Sequence, residues 1–500
     1  MQALYQIFSV FGVFFIVVMG VLFLWGMLLY IMDISQHKHA IRHNYPLMGR
    51  FRSGFEYLGT FFRQYFFAMD REEMPFNRAQ REWIYKAAQN EDTTSAFGST
   101  RDLSPVGSIF FVNCPFPALE SDAEDFQTIR LGEGYCEHPF DATSPFNVSG
   151  MSYGALSKVA VLALSKGAKK AGCWMNTGEG GLSPYHLEGG ANLVFQIGTA
   201  KYGVRDNEGN LSDEKLREVA AHEHVKMFEI KLSQGAKPGK GGMLPAAKVS
   251  ADIAKIRGIE VGQDSMSPNR HIDIDSVHDI LDMIVRIRQV TQKPVGIKLV
   301  LGGCNVLDGL CEAIQQRGLD AAPDFITLDS ADGGTGAAPQ ALMDYVGMPL
   351  SESLPMLIDH LVGYGLRERI KVVCSGKMIM PSDVAWALAM GSDFVVSARG
   401  FLFSLGCIQA LQCNKNTCPT GITTHNPRLQ AGLDPQDKSV RVAHYVDHIL
   451  HEVGVIAHSC GVREPRCLKR HHMRRVDANG RSISMASIFP DTMKGKPHGL

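Results

Sequence analysis

The sequence predicts an α/β fold, a (β/α)8 TIM barrel preceded by one transmembrane helix. Eight short apolar runs alternate with helical patterns beyond residue 70, and glycines cluster between residues 176 and 336, which together predict the barrel and its loops. The helix is predicted because no charged residue precedes Asp33. With 50 basic and 51 acidic side chains, a net charge of −1 excludes the strong positive field typical of nucleic-acid-binding proteins.

Residues 1–35 are predicted to form a membrane anchor. The apolar run from Ile7 to Met32 would cover about 38 Å as a helix, more than the roughly 30 Å of a bilayer core. A signal peptide is the alternative, but the run lacks a positive n-region and a small-residue cleavage site. The body of the protein is expected to face the cytoplasm because basic residues follow the run and none precedes it. These basic residues are Lys38, Arg42, Arg50 and Arg52.

Residues 36–94 are predicted to be an amphipathic juxtamembrane linker. Its large apolar residues recur at helical spacing, at Phe51, Phe55, Leu58, Phe62 and Phe66. With arginines beside them, this pattern is expected of a helix lying in the headgroup layer. A helix packed on the protein's own core would show the same pattern.

The barrel elements are predicted from runs suited to burial on both faces, separated by helical periodicity. The predicted strands are Asn147–Ser149, Cys173–Asn176, Val194–Ile197, Phe228–Leu232, Val295–Val300, Phe325–Asp329, Val372–Ser375 and Phe394–Ser397. The predicted helices are Leu156–Ala171, Ser276–Thr291, Asn305–Arg317, Leu354–Leu366 and Ser382–Met390. Ser382 followed by Asp383 indicates a helix start.

The chemistry of such a barrel lies at the carboxyl ends of its strands, and unusual residues occur at those positions here. They are Ser152, residues 177–181, Lys231, Lys298, residues 332–336, residues 375–377 and residues 398–400. After the seventh and eighth strands, Gly376 and Gly400 permit close approach of a phosphate, while Lys377 or Arg399 adds charge. A phosphorylated cofactor is therefore expected at that end.

Three cysteines follow the eighth strand with the spacing C-x5-C-x4-C, at Cys407, Cys413 and Cys418. Three thiolates can each bind one iron of a [3Fe–4S] cluster. Zinc is an alternative if His425 supplies a fourth ligand. Buried, unreactive cysteines are the remaining alternative.

Five segments together resemble the FMN-binding synthase domain of the glutamate synthases. They are Phe146–Lys158, Asn176–Gly181, Glu229–Lys248, Asp329–Pro339 and Cys407–Gly421. The resemblance covers roughly residues 95–430 and includes the cysteine spacing. It leaves residues 431–500 as a basic C-terminal extension.

The resemblance implies a flavin-bearing barrel in which reduced FMN passes a hydride to the imine formed from 2-oxoglutarate and ammonia, giving L-glutamate, with a [3Fe–4S] cluster relaying electrons. It implies that FMN is held by Ser152, Asn176, Gln196, Lys231, Gly334, Ser375, Gly376, Lys377, Ala398 and Arg399. It places the 2-oxoacid near Glu179, Lys201, Gln234 and Lys237. The cluster is implied on Cys407, Cys413 and Cys418.

Residue chemistry supports roles for the catalytic candidates. Lys231, Gln234 and Lys237 are spaced i, i+3, i+6 past a strand end, where cations can meet the carboxylates of a dicarboxylic acid. Glu179, between glycines, is the candidate that moves protons, the alternative being a solvated loop glutamate. Lys298 can stabilise an anionic reduced flavin, since a lysine buried in a strand without a partner would be costly.

Partners follow from what the sequence lacks relative to the family. Full-size members begin with a glutaminase domain, whereas this chain opens on the apolar run, so an ammonia-supplying partner or free ammonia is expected. No G-x-G-x-x-G motif follows a predicted strand, which indicates an electron-donor protein or carrier. Two alternatives stay open: a membrane-linked FMN and iron–sulfur oxidoreductase of amino acids or amines that reduces a quinone, and a non-catalytic FMN-binding scaffold.

Overall fold

The structure, a computed structural model, describes residues 2–36, 40–303 and 305–492. The chain forms two compact units, Met1–Ala79 and Gln80–Leu500. Lys38, from the predicted basic group after the apolar run, lies outside the described residues.

The first unit is helical. Its elements are the helices Gln2–Ser35, Ala40–Asn44 and Met48–Phe62 and a π-helix at Arg63–Phe67. The stretch Leu4–Ser35 is long and apolar enough to cross a membrane, and none of its most apolar window is buried. The predicted helix is therefore confirmed as a candidate span, by length and composition, a test that a signal sequence also passes.

A polar contact ties the end of this candidate span to the next long helix. Asp33, 1% exposed, accepts a hydrogen bond from the backbone N–H of Leu47 at 3.1 Å and pairs with the guanidinium of Arg50 at 2.8 Å. The five large apolar residues predicted at helical spacing all lie in Met48–Phe62 or the π-helix, and all are exposed. The helix predicted from their spacing is therefore confirmed.

The second unit is built on a closed barrel of eight parallel strands. In chain order, β1 to β8 are Phe146–Val148, Trp174–Asn176, Asn192–Ile197, Val225–Lys231, Val295–Val300, Phe325–Asp329, Lys371–Ser375 and Phe394–Ser397. Each strand pairs with the next, and β8 closes the ring on β1, with Val395 opposite Phe146. The predicted (β/α)8 fold and its eight strands are confirmed, with bounds that differ by a few residues.

Helices connect the strands on the outside of the barrel. They are Lys158–Lys170, Pro184–Gly189, Asp213–Ala221, Ala251–Arg257, Val277–Thr291, Asn305–Arg317, Gln340–Tyr345, Leu350–Gly363, Pro381–Ala389 and, after β8, Arg399–Ser404. The predicted helix start at Ser382 is wrong by one residue. The helix begins at Pro381 because the Asp383 carboxylate accepts the backbone N–H groups of Ile379 and Met380.

A β-hairpin closes the amino end of the barrel. Its strands, Ile129–Leu131 and Phe140–Ala142, pair antiparallel. The Phe140 ring contacts Trp174 at the start of β2, and Trp174 contacts Phe394 at the start of β8. Because these side chains form one buried cluster, the amino end is filled, and the carboxyl end is left for a site.

Residues 431–492 also fold onto the barrel unit. The helix Pro435–Ser459 packs against Lys158–Lys170. Met473–Val476 pairs antiparallel with Ile109–Phe111 on one side and with Ser482–Ser484 on the other. The sequence predicted only a basic extension for residues 431–500, without this packing.

The remaining elements of the described residues are Arg78–Ala88, Glu120–Asp122, Met243–Leu244, Ala246–Lys248, Ser265–Met266, Leu319–Ala321, Pro427–Gln430, Pro465–Cys467, Arg470–His472 and Met485–Ile488.

Candidate active site

An open cleft of about 530 Å³ lies at the carboxyl end of the barrel. It brings together most of the residues proposed from the sequence for FMN and catalysis. Those that line it are Gln196, Lys231, Gln234, Lys298, Gly334, Ser375, Gly376, Lys377, Ala398 and Arg399. These residues come from β3 to β8 and the loops after them, which is why only the closed barrel makes them neighbours.

The end of the cleft after β7 and β8 has the close backbone approach that a phosphate site needs. Gly376 has φ +140°, and a Cβ there would overlap the hydroxyl of Ser330. That hydroxyl is buried and lacks a hydrogen-bond partner among the described residues. A Cβ on Gly334 would lie 2.7 Å from the guanidinium carbon of Arg399. Both glycines therefore leave space that any other residue would fill.

Two cations face this end. Burial lowers the pKa of Arg399 to about 10, although Asp329 and Asp332 oppose the shift, and its Nη2 donates to the Asp332 carbonyl at 2.8 Å. Burial also lowers the pKa of Lys377. A bound phosphate would offset the burial of both charges.

A carboxylate beneath the cleft, Glu229, organises its polar floor and was not singled out from the sequence. Its Oε1 accepts the side-chain amides of Asn176 at 2.8 Å and Gln196 at 2.6 Å, and its Oε2 accepts the Thr327 hydroxyl at 2.6 Å. Glu229 is 2% exposed. The amide orientations of Asn176 and Gln196 are thus fixed before any ligand binds.

Lys298 projects from β5 into the cleft and has a partner that was not assigned from the sequence. Its Nζ lies 3.2 Å from Oδ2 of Asp329, the last residue of β6. Burial disfavours the charged ammonium, but Asp329 and Glu229 outweigh it, so the pKa of Lys298 is raised. Lys298 is therefore a fixed positive charge at the cleft wall.

Glu179 and Lys231 form an ion pair of 2.9 Å at the edge of the cleft. Burial raises the pKa of Glu179, but the charges of Lys231, Lys237 and Arg257 outweigh it and hold the pKa below its usual value. Arg257, buried at the end of the helix Ala251–Arg257, is a further cation that was not predicted from the sequence. Glu179 is consequently a carboxylate at neutral pH, able to accept a proton.

Lys231, Lys237 and Arg257 surround Glu179 and form what we call the cationic corner, with Gln234 beside it. Lys231 donates a short hydrogen bond to the side-chain oxygen of Gln234. Lys237 is 4% exposed, and no carboxylate among the described residues forms an ion pair with it. Burial lowers its pKa to about 8 against the opposing charge of Glu179. A buried cation without its own carboxylate is suited to an acidic ligand.

Three other predicted residues do not line the cleft. Asn176 faces the cavity beneath it, beside Glu229. Lys201 is 1% exposed and its charge is already paired with Asp273 at 2.9 Å. Ser152 packs closely against Gly178: a Cβ added to Gly178 would lie 2.5 Å from the backbone nitrogen of Ser152. Their roles toward ligands stay predictions.

The three cysteines lie in one loop after Arg399–Ser404, close enough to influence one another electrostatically. Burial raises the pKa of Cys407 to about 12, and the charges of Cys413 and Cys418 add to this. Among the described residues, no group of three or more His, Cys, Asp or Glu side chains is arranged around a single metal ion. Sulfurs that bind a cluster do not converge in this way, because each contacts a different iron.

His425, the possible fourth zinc ligand, is already engaged. Its Nε2 lies 2.8 Å from the carbonyl oxygen of Gly154, and its backbone N–H donates to Oδ1 of Asn416 at 2.7 Å. These contacts hold the cysteine loop against the loop after β1. They make the zinc alternative less suitable, since the Nε2 atom is engaged with a carbonyl oxygen.

The fold and the site are those of a (β/α)8-barrel enzyme, with charged and glycine-rich loops at the carboxyl end of the barrel. The conserved region in glutamate synthase matches residues 116–463. The chain therefore belongs to the glutamate synthase family, and the predicted family is confirmed. At that level the prediction of a glutamate synthase-type oxidoreductase is confirmed as well.

Relatives of known name differ in how much of their length this chain covers. The glutamate synthase large subunit-like protein YerD of Bacillus subtilis (strain 168) is 39% identical over 94% of this chain and 95% of its own. The archaeal-type glutamate synthase (NADPH) of Thermotoga sp. (strain RQ2) is 34% identical over 69% of this chain. The archaeal glutamate synthase (NADPH) of Methanocaldococcus jannaschii is 33% identical over 69% of this chain. The chain spans 65% of the length of each of these two enzymes.

Among solved structures, mandelate oxidase with (S)-4-hydroxymandelic acid is similar at a TM-score of 0.44 and 14% identity, over 79% of this chain and 91% of that one. A mandelate oxidase mutant with a monooxide FMN adduct gives a TM-score of 0.41 at 16% identity, over 78% of this chain and 90% of that one. Because these TM-scores and identities are low, the family assignment rests on the family match and the sequence relatives.

Proposed function

We propose that this chain is an FMN- and iron–sulfur-dependent oxidoreductase of the glutamate synthase type, forming L-glutamate by hydride addition to the imine of 2-oxoglutarate. The observation that carries the proposal is the cationic corner of Lys231, Lys237 and Arg257 around Glu179, beside a cleft lined by glycines and cations at the carboxyl end of the barrel. When bound, reduced FMN supplies the hydride. The chain's own residues bind the acid, hold the flavin and move the proton.

The cleft fits a flavin nucleotide. Gly376, Lys377 and Arg399 would hold the phosphate, and the unsatisfied hydroxyl of Ser330 offers it a further donor. Gln196, oriented by Glu229, and Lys298 would meet the polar edge of the ring system. The fixed charge of Lys298 favours the ring when it carries negative charge.

The cationic corner fits a dicarboxylic 2-oxoacid. Lys237 supplies a positive charge to one carboxylate, and Gln234 supplies hydrogen bonds beside it. Imine formation from a ketone and ammonia releases water and needs proton transfer. Glu179 is the candidate for this, because it is an ionised carboxylate at the edge of the cleft.

The donor set also fits an iron–sulfur cluster. Three thiols lie in one loop, and a buried lysine, Lys248, has its Nζ 3.3 Å from the carbonyl oxygen of Cys413. When bound, a [3Fe–4S] cluster supplies one-electron transfer. Electrons would then come from a donor protein or carrier, and nitrogen from free ammonia or a partner that releases it.

The reaction is tested by anaerobic flavin reoxidation. Purified full-length protein, reduced until its flavin is colourless, should regain colour when 2-oxoglutarate and ammonium are added together, with formation of glutamate. Neither compound alone should act. If a quinone reoxidises the flavin and the two compounds do not, the protein is an amino-acid or amine oxidoreductase instead.

The pKa of Lys237 predicts a pH dependence. Its ammonium is charged below about pH 8 and is neutralised above it, so kcat/KM for 2-oxoglutarate should fall about tenfold per pH unit above this value. The Lys237→Arg variant should keep its kcat/KM to higher pH, because a guanidinium stays charged. Equal profiles for the two proteins would contradict the role of Lys237.

We further propose that Leu4–Ser35 anchors the protein in a membrane as a single span, with the barrel in the cytoplasm. The expected result is that full-length protein stays in the membrane pellet after a carbonate wash at high pH and is released by detergent. A shortened protein found in the soluble fraction would indicate a cleaved signal sequence instead.

A further inference from the structure

Lys248 is a buried lysine without an acidic partner. It ends the short 3-10 turn Ala246–Lys248 in the loop after β4 and is 3% exposed. Its Nζ donates to two backbone carbonyl oxygens, of Ala155 at 2.7 Å and of Cys413 at 3.3 Å. In the part of the chain that the structure describes, no carboxylate forms an ion pair with it.

Among the described residues, three of the four other buried lysines have a carboxylate within ion-pair distance: Lys201 has Asp273, Lys231 has Glu179 and Lys298 has Asp329. The fourth, Lys237, belongs to the proposed substrate site. A buried ammonium that meets only neutral carbonyls is costly, by several kcal/mol in general. Lys248 therefore calls for an anion that protein carboxylates do not provide.

The cysteine loop lies against this ammonium, since the carbonyl oxygen of Cys413 is 3.3 Å from the Lys248 Nζ. As thiolates, Cys413 and Cys418 would act on Lys248 with their negative charge. The cysteine loop is also fixed against the turn that carries the lysine, because Asn416 donates its side-chain amide to the Ala247 carbonyl at 3.0 Å. Ala155, from the loop after β1, holds the ammonium from the other side. Lys248 is thus held between the loop after β1 and the cysteine loop.

We propose that Lys248 is the counter-charge of the iron–sulfur cluster and raises its reduction potential. This rests on the proposed function for the presence of the cluster. Three thiolates leave the oxidised cluster anionic, and one electron from a reductant makes it more negative by one charge, with no bond to the protein formed or broken. A nearby cation stabilises the reduced form more than the oxidised form.

Lys248 also belongs to the loop that carries Gln234 and Lys237. The same 15-residue stretch thus faces the proposed substrate at its beginning and the cluster at its end. The reduction potential of the cluster measures the effect of the Lys248 charge directly.

The test is a redox titration of anaerobically purified full-length protein with dithionite, following the EPR signal of the oxidised cluster. Lys248→Met should make reduction of the cluster at least tenfold less favourable, which is about 59 mV for a one-electron couple. Lys248→Arg should keep most of the native potential. Lys415→Met is the matched control: the same charge is lost two residues from Cys413, but from an exposed side chain, so the potential should stay unchanged.

The outcomes separate the proposals. A native potential in Lys248→Met with full iron content overturns the role of Lys248 and leaves the proposed function intact. Loss of iron in Lys248→Met but not in Lys248→Arg supports the counter-charge, because Arg keeps the positive charge and Met does not. Loss of iron in both variants shows a need for lysine's shape and overturns it. Native protein without iron overturns the cluster itself.

Discussion

Glutamate formation should fall about 10²- to 10⁴-fold in kcat when Glu179 is replaced by Gln, while FMN stays bound. The glutamine has the same size and keeps a hydrogen-bond acceptor for Lys231, but it cannot take a proton at neutral pH. The reason for the expected loss is that Glu179 is the carboxylate held ionised at the substrate corner. Turnover and flavin content of the purified variant are the two measurements.

Glu188→Gln provides the matched control for this substitution. Glu188 lies in the neighbouring helix Pro184–Gly189, is mostly exposed and pairs only loosely with Lys166 at 3.9 Å. Its replacement should leave kcat within the error of the assay. If Glu179→Gln also turned over at the native rate, Glu179 would have no catalytic role. If cells carrying it were unaffected as well, a non-catalytic scaffold would be favoured.

Iron should be absent from the Cys413→Ser variant, whereas its flavin content should match the native protein. Three cysteines supply the donor set, so loss of one leaves an iron without its thiolate. The flavin cleft is lined by other residues and should be unaffected. Metal analysis and the absorption spectrum after anaerobic purification measure both quantities.

Cys467→Ser serves as the control, because Cys467 is an exposed thiol outside the cysteine loop. It should bind iron like the native protein. Retention of iron in Cys413→Ser, or zinc in place of iron in the native protein, would show that the three cysteines do not hold a cluster.

The barrel strands could be predicted because each is a short apolar run buried on both faces, which leaves a local signal. The helix Asn305–Arg317 was predicted with its observed bounds for a similar reason, its apolar residues falling on one face. The helix Pro435–Ser459 was not predicted, although Val442, Val446, Ile449 and Val453 recur at helical spacing. The many charged and histidine residues between them obscure that signal.

The pairing of charges could not be predicted, because it depends on which strands become neighbours. Lys298 meets Asp329 only because β5 and β6 lie side by side in the closed ring. Glu229 stands out as a charged residue within the apolar strand β4, a signal that indicates burial but not its partners Asn176 and Gln196. Lys248 gives no local signal, since its environment is made by two other loops.

The most direct test of the proposed function is cofactor analysis of the full-length protein purified without oxygen. We predict FMN as the extracted flavin, in equal amount to the chain, together with about three irons per chain and an EPR signal from the oxidised cluster. A protein that contains no flavin, takes up no added FMN and binds zinc at the cysteine loop would contradict it.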